Sequence, residues 1–396
     1  MAKFKVSAPG RIFLSGEHTK MYEKNVITAG LNLRTTLTFS ELPDENINIK
    51  FPDVKLSLIL PIEQILNFFY DEDLNLRCNN TRRLLEHVQF FITSNGMWST
   101  YEQKHSLQIF LFLLLWSSKS ENFDIRPFHV HVTTQLPMNA GFGSSTSFAV
   151  CLAGCFLHWS RLQKGNYNND FDNDELLKIV QLVMACEEDE IDYACMIDQL
   201  VCAFGEIMLF RCQHPTNYYK FLHTSLTIDI LLIDSKIRPN KYAPMLQIAK
   251  MKHTNSANTN HLLDLINTAS IMTYHTLHEM SNYHRNNNLQ QLTKLYVLFA
   301  RLFWVNQLLL SDLGLSNDQL HTIYTIAQNY GYMEKLSGLG HACILLPLNI
   351  HEDSIESSRN ISDDLIMEGF AVTRTSVNCD GKTVEMKSVT RPKRER

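Results

Sequence analysis

The stretch Leu136-Pro137-Met138-Asn139-Ala140-Gly141-Phe142-Gly143-Ser144-Ser145-Thr146-Ser147 constrains this chain more than any other part of it. Before it, Phe128, Val130 and Val132 alternate with His129, His131 and Thr133, the period of a strand with one buried face. After it, the residues from Ser144 to about Ser160 read as a helix. Gly141 and Gly143 remove Cβ atoms where backbone must come close to a ligand. Free N–H groups at the helix start, aided by the helix dipole, suit a polyanion. Ser144 and Ser145 stand in the first turn, where one hydroxyl caps the helix and the other reaches a phosphate oxygen or Mg²⁺. The same residues also fit a capped helix after a glycine turn, because a lone Gly-x-Gly is a weak signal. A Walker A loop is excluded, since the Gly-Lys-Ser/Thr ending is missing.

Around this unit the pattern is that of a mixed protein. Phe4 to Pro9 alternate as a strand, and residues 25–41 read as another, with Leu33, Thr35, Leu37 and Phe39 on one face. The run Leu107 to Trp116 is intensely apolar but far shorter than the roughly 20 residues that span a bilayer, so it reads as a buried helix. An Asn/Asp-rich surface loop at 165–174 precedes a helix from about Asp174 to Glu190. Residues 226–235 read as a buried strand that begins a second domain. Leu292, Leu295, Tyr296, Phe299, Leu302 and Phe303 recur at helical spacing toward Leu310, and Cys343–Pro347 and Phe370–Ser376 close the chain as strands. The tail RPKRER reads as a short solvated terminus.

A chain of 396 residues has room for two domains with cores of their own, and 45% hydrophobic with 19% charged residues is an ordinary globular composition. A formal charge of −5 gives no excess of Lys and Arg for nucleic acid or an anionic membrane, so neither is expected as a partner. The nine cysteines are odd in number and form no CxxC pair, and no signal-peptide apolar region follows Met1, which together point to a reducing cytosol. Cys151 and Cys155, four apart on the helix, lack a second half-site for a metal and read as core packing.

Two separated motifs carry a resemblance. PMNAGFGSSTS is similar to the P-x-G-x-G-L-G-S-S-A loop of the GHMP kinases, and residues 7–18, SAPGRIFLSGEH, look like the first motif of that superfamily. Leu31-Asn32-Leu33-Arg34-Thr35, Asn306-Gln307-Leu308-Leu309 with Leu313-Gly314 and Leu320, and Lys335-Leu336-Ser337-Gly338 resemble its mevalonate kinase branch, in the right order over nearly the whole chain. The resemblance implies an α+β, two-domain GHMP kinase fold. Residues 1–225 form a mixed α/β N-terminal domain, residues 226–396 a ferredoxin-like C-terminal domain, and the active site lies between them. It implies ATP and Mg²⁺ and transfer of the γ-phosphate to the 5-hydroxyl of mevalonate as small-molecule substrate; a homodimer is one assembly open to the chain, and the sequence does not fix the oligomeric state.

Residue by residue, the resemblance makes Asp198 the catalytic base and places Arg11 where mevalonate kinases carry a lysine that stabilises the deprotonating hydroxyl and the transferred group. Pro137, Asn139, Gly141, Gly143, Ser144 and Ser145 become the ATP loop. Ser145 and Glu187 become the Mg²⁺ ligands, with Glu187 otherwise readable as part of a solvated acidic helix end. A hydroxyl and a carboxylate suit that metal, and a carboxylate suits the base. His18 faces the substrate carboxylate, with Glu17 and Ser235 on the same substrate side.

Three departures carry further expectations. Arginine at position 11 keeps the charge but not the shape of lysine; galactokinases use it in a similar APGR…GEH motif, and Cys195-Met196-Ile197-Asp198-Gln199 is similar to theirs. A sugar kinase is therefore the nearest rival, although Lys20 and Met21 replace the sugar-binding Asp-Tyr. The segment Asp192 to Asp198, DYACMID, lacks the loop-forming Gly and Pro of mevalonate kinases. That predicts an altered backbone between Glu190 and Ile197, with Asp198 still within a few ångströms of Arg11 and facing the cleft beside Ser145. The third motif keeps Gly338 and Gly340 but has His341-Ala342-Cys343 in place of glycines. A non-catalytic descendant that binds ATP or a metabolite is the alternative of another class.

Overall fold

The computed structural model describes residues 1–69, 80–186, 196–213, 216–235, 242–316, 318–337, 342–347, 354–381 and 383–386. Glu187 to Cys195, Gly338 to His341 and the RPKRER tail lie outside the described residues. Among the described residues the strands are β1 (Lys3–Ser15), β2 (Asn25–Glu41), β3 (Asn46–Phe51), β4 (Leu56–Pro61), β5 (Phe128–Thr134), β6 (Ile207–Arg211), β7 (Tyr218–Leu222), β8 (Ile228–Asp234), β9 (Tyr332–Ser337), β10 (Ala342–Pro347), β11 (Ala371–Val377) and β12 (Thr383–Met386). The helices are α1 (Ile62–Phe69), α2 (Thr81–Ser94), α3 (Tyr101–Glu121), α4 (Ser144–Gln163), α5 (Asn173–Cys186), α6 (Ile197–Phe204), α7 (Ala243–Thr254), α8 (Ser256–Arg285), α9 (Leu289–Asp312), α10 (Asp318–Asn329) and α11 (Ser354–Met367).

The sheet is organised around β2, which is long enough to serve four neighbours along its length. Its C-terminal half pairs β5, from Thr35 opposite Thr134 to Glu41 opposite Phe128, and its first residues pair β6. β1 runs antiparallel along nearly all of it. At Leu31 it meets Val377 of β11, which leads on through β8 and β10 to β9. Leu31, Leu33, Thr35, Leu37 and Phe39 are all buried, as the alternation in the sequence predicts. β12 returns to β1, with Met386 opposite Phe4.

Beneath the first half of the sheet lies a helical layer. Thr100 caps α3 by accepting from the Gln103 N–H at 3.3 Å, and from Ile109 to Leu115 its side chains are buried all round. That is why its apolar run shows no polar face. Of the described helices, none is long and apolar enough to cross a membrane. α4 packs between α3, α5 and the sheet, with Cys151 and Cys155 wholly buried, and the Cys151 thiol donates to the Thr35 carbonyl at 3.2 Å. The core-packing expectation for this pair is met. A second core, around Phe299, Phe303 and Ile230, and a third, around Ile248, Leu310 and Leu336, sit where α8, α9 and α10 pack on the rest of the sheet.

Candidate active site

The site begins where β1 slips register between Pro9 and Gly10. A Cβ at Gly10 would stand 2.4 Å from Leu136 Cδ2 and 2.9 Å from the Phe142 oxygen, so glycine is what lets the loop lie down on the strand. The next residue bolts it there. The Arg11 backbone N–H donates to the Phe142 oxygen at 2.8 Å, and its Nη1 donates to the Gly141 oxygen at 3.2 Å. Ser147 adds a bond from its hydroxyl to the Ala8 oxygen at 2.9 Å. Within the loop Asn139, Gly141 and Gly143 take positive φ of 59°, 79° and 75°. Gly143 then forms the N-cap of α4, leaving the first N–H groups of that helix without side-chain caps.

The far end of Arg11 reaches another element. Its Nη2 donates to Asp198 Oδ2 at 2.5 Å, and its guanidinium lies 4.2 Å from the centre of the Phe13 ring. Asp198 stands in the first turn of α6, where the helix dipole favours a carboxylate. Its side chain is 28% exposed against 8% for Arg11, so the carboxylate is the outer member of the pair. Met196 caps α6 at φ −60°, so a methionine there carries no left-handed strain. The backbone expected to change just before it falls on undescribed residues, while the expected approach of Asp198 to Arg11 is present.

On the other side of the loop an open groove runs between α3 and the residues after β3. Asn139, Ser144 and Ser145 line it together with Asp53, Met138 and His105. Asp53 is tied to β5 by accepting from the Thr134 N–H at 2.8 Å. His105, on the first turns of α3, places Nε2 3.1 Å from the Ser145 hydroxyl and stacks nearly parallel on Tyr101, with ring centres 6.0 Å apart. Phe51, Val132 and Phe148 add apolar surface to the groove. Apolar walls beside hydroxyls and open helix N–H groups suit a flat ring that carries a polyanion.

A family profile described as the GHMP kinases N terminal domain matches residues 111–206, a span that includes the glycine loop and Asp198. The chain carries a GHMP kinases N terminal domain. The mevalonate kinase of Dictyostelium discoideum is 25% identical to it over 402 residues, covering 96% of this chain and 96% of that protein. Among solved structures, the Methanococcus jannaschii mevalonate kinase matches with a TM-score of 0.66 at 17% identity, over 97% of this chain and 98% of that one. The L. major mevalonate kinase in complex with R-mevalonate matches with a TM-score of 0.63 at 15% identity, over 96% and 100% of the two chains. The fold is the expected GHMP kinase fold, and the activity is that of an ATP-dependent small-molecule kinase.

The remaining expected residues divide between surface and interior. His18 is partly exposed and holds φ at 64°, a conformation uncommon for a residue with a Cβ. Its Nε2 is buried and lacks a hydrogen-bond partner. Burial, followed by the charges of Lys335, Lys20 and Arg11, pulls its pKa down to about 3, so the imidazole is neutral. Glu17 faces the core instead of the surface. Its carboxylate pairs with Lys335 at complete burial and also accepts from Asn306 Nδ2 at 3.3 Å. Ser235 is buried directly after β8. Ser145 is exposed on the groove, Pro137 is partly buried at the start of the loop, and Glu187 lies outside the described residues.

Three features of the kinase site had no counterpart among the sequence expectations. They are the contact of His105 with Ser145, the Glu17–Lys335 pair, and the use of Asn306 and Gln307 as buried ties. The last left a trace: two amides among Trp304, Val305, Leu308 and Leu309 form a polar break in an apolar stretch of helix, and buried amides need partners.

Proposed function

We propose that this chain is a mevalonate kinase, transferring the γ-phosphoryl group of ATP to the 5-hydroxyl of mevalonate. The observation that carries this reading is the Arg11–Asp198 ion pair, held at 2.5 Å beside a glycine loop that Arg11 itself fixes. Asp198 receives the hydroxyl proton as the oxygen attacks phosphorus, the bond to the bridging oxygen breaks, and ADP leaves. Arg11 offsets the negative charge that gathers on the attacking oxygen and the moving phosphoryl group. No covalent enzyme intermediate is required.

His18 presents a neutral, unpaired ring nitrogen on the acceptor side, suited to a hydrogen bond with a carboxylate-bearing substrate. The open N–H groups at the start of α4, with Asn139 and Ser144, suit the phosphates. Mg²⁺ belongs to this reading: Ser145 offers an exposed hydroxyl oxygen, a hard donor of the type Mg²⁺ takes, and Glu187 would be the second ligand. Bound there, Mg²⁺ would neutralise phosphate charge. A reducing, cytosolic setting is supported by the thiols, since the six cysteines whose side chains are described are thiols and not disulfides.

The test is ADP release over a panel of mevalonate, phosphomevalonate, galactose and homoserine, each with Mg·ATP. Turnover with mevalonate alone is expected. Turnover with galactose alone transfers the same site to a sugar kinase, and no turnover above an Asp198→Asn control with any acceptor replaces the enzyme by a binding protein.

A further inference from the structure

The first and third motifs meet at a fully buried ion pair. Glu17 and Lys335 are both inaccessible, and the Lys335 ammonium also donates to the Phe13 oxygen at 3.3 Å and the Leu336 oxygen at 2.9 Å while lying 5.6 Å from the Phe303 ring centre. Adjacent residues of α9 close the arrangement. Asn306 Oδ1 accepts from the Gly16 N–H and from the Ser15 hydroxyl, each at 3.1 Å, and its Nδ2 donates to Glu17. Gln307 Oε1 accepts from the Leu336 N–H at 2.7 Å. The Ser15 hydroxyl, the Gly16 N–H and the Glu17 carboxylate are thus tied to α9 or β9, with Ser270 of α8 sharing the Ser15 hydroxyl at 2.8 Å and Thr19 donating to the Gly16 oxygen, and the chain continues to His18.

A buried ion pair is a poor device for stability, because desolvating two charges consumes most of their attraction, and apolar replacements of both partners often fold as well. Its value lies in geometry. We propose that Lys335 is a positioning residue of the acceptor site: through Glu17 it fixes the backbone that holds His18 at positive φ, with its free nitrogen toward the acceptor. The assignment of the acceptor site rests on the mevalonate kinase reading; the placement of His18 by Lys335 does not. Lys335 touches no reacting atom in this scheme.

The experiment compares wild type, Glu17→Gln, Lys335→Met and the Glu17→Gln/Lys335→Met double variant in the full chain. Each single variant strands one buried partner and is expected to melt well below wild type, whereas the double variant removes both charges and should recover most of that loss. In the double variant, KM for mevalonate should rise on the order of 10-fold to 100-fold, since small displacements of an orienting group carry penalties of that size, while affinity for a fluorescent ATP analogue stays unchanged. The His18 imidazole resonances, followed by NMR against pH without substrate, should shift and titrate at higher pH than in wild type. A folded double variant with unmoved His18 resonances overturns the proposal, whatever the substrate. Moved resonances with an unchanged KM overturn its acceptor part. If wild type ignores mevalonate while His18 still moves in the double variant, the mevalonate reading falls and the positioning role stands.

Discussion

Arg11 holds Asp198 at 2.5 Å with one nitrogen while another donates to the Gly141 carbonyl at 3.2 Å, so a single side chain sets the distance between that carboxylate and the glycine loop. Replacing Asp198 by Asn keeps the shape and removes the base. Turnover should vanish, while ATP affinity stays within a few-fold because the loop remains attached through the Arg11 backbone. Steady-state kinetics with a separate nucleotide titration check both halves, and substantial remaining turnover would take Asp198 out of the chemistry.

Arg11 itself combines charge and scaffold. Arg11→Lys should leave a working but slower enzyme, because one ammonium cannot reach both Asp198 and Gly141 as the guanidinium fork does. Arg11→Met should cost roughly 10²-fold or more in turnover, the scale seen when charge stabilisation of a transition state is removed. Equal activity of all three proteins would contradict the role.

Ser145→Ala removes a groove hydroxyl and, with it, one partner of His105. The Mg·ATP requirement should rise and turnover fall. His105→Ala keeps the serine but frees its hydroxyl to rotate, and should raise KM for ATP by a smaller factor with little change in KM for the acceptor. Mg²⁺ titrations at fixed ATP distinguish the two. An unchanged metal requirement in Ser145→Ala would return the loop to a purely structural feature.

Two groups with shifted pKa values give opposite pH limbs. His18 falls from 6.5 to about 3 on folding, so below pH 6.5 the unfolded chain binds a proton that the native site refuses, and stability drops as pH falls from 6.5 toward 3. Glu334 moves the other way. Burial raises its pKa from 4.5 to about 7 against hydrogen bonds that include Trp304 and Gln328, so stability drops as pH rises from 4.5 through 7. Melting temperature against pH should lose part of its upper slope in Glu334→Gln. An identical slope in that variant would remove Glu334 from the account.

What the sequence makes legible follows from how local each signal is. β5, the glycine loop and α4 stand in the structure within a few residues of where alternation, glycine and helical spacing put them, and α3 is readable because continuous burial leaves a continuous apolar run. β3, with Ile47, Ile49 and Phe51 alternating, was open to the same reading but is missing from the expectations. α8 is hidden more deeply. Its buried face mixes Ser270, Thr273, Thr276 and Ser281 with Leu263, Ile266 and Leu277, so hydrophobic periodicity is diluted by small hydroxyls that bond back to their own helix, as Ser270 and Thr273 do at 2.9 and 2.8 Å. Arg11 and Asp198 lie 187 residues apart and were joined by resemblance, since no local pattern links them. Glu17 and Lys335, 318 residues apart, had not even that link, and only the folded sheet brings them together.

The pairing of β12 with β1 has a consequence for synthesis. Phe4 leaves the ribosome well before Met386, which stands opposite it and follows about 380 residues later. At ordinary translation rates that interval is on the order of tens of seconds. During it, the edge of β1 that β12 covers in the native sheet presents unpaired N–H and C=O groups, the kind of template on which nascent chains cross-pair. Long-range strand pairing is also slow to form once the partner exists. The half of the chain that holds β1 is therefore a fragment with an open edge when made alone, and the yield of native protein depends on that edge staying shielded until β12 arrives.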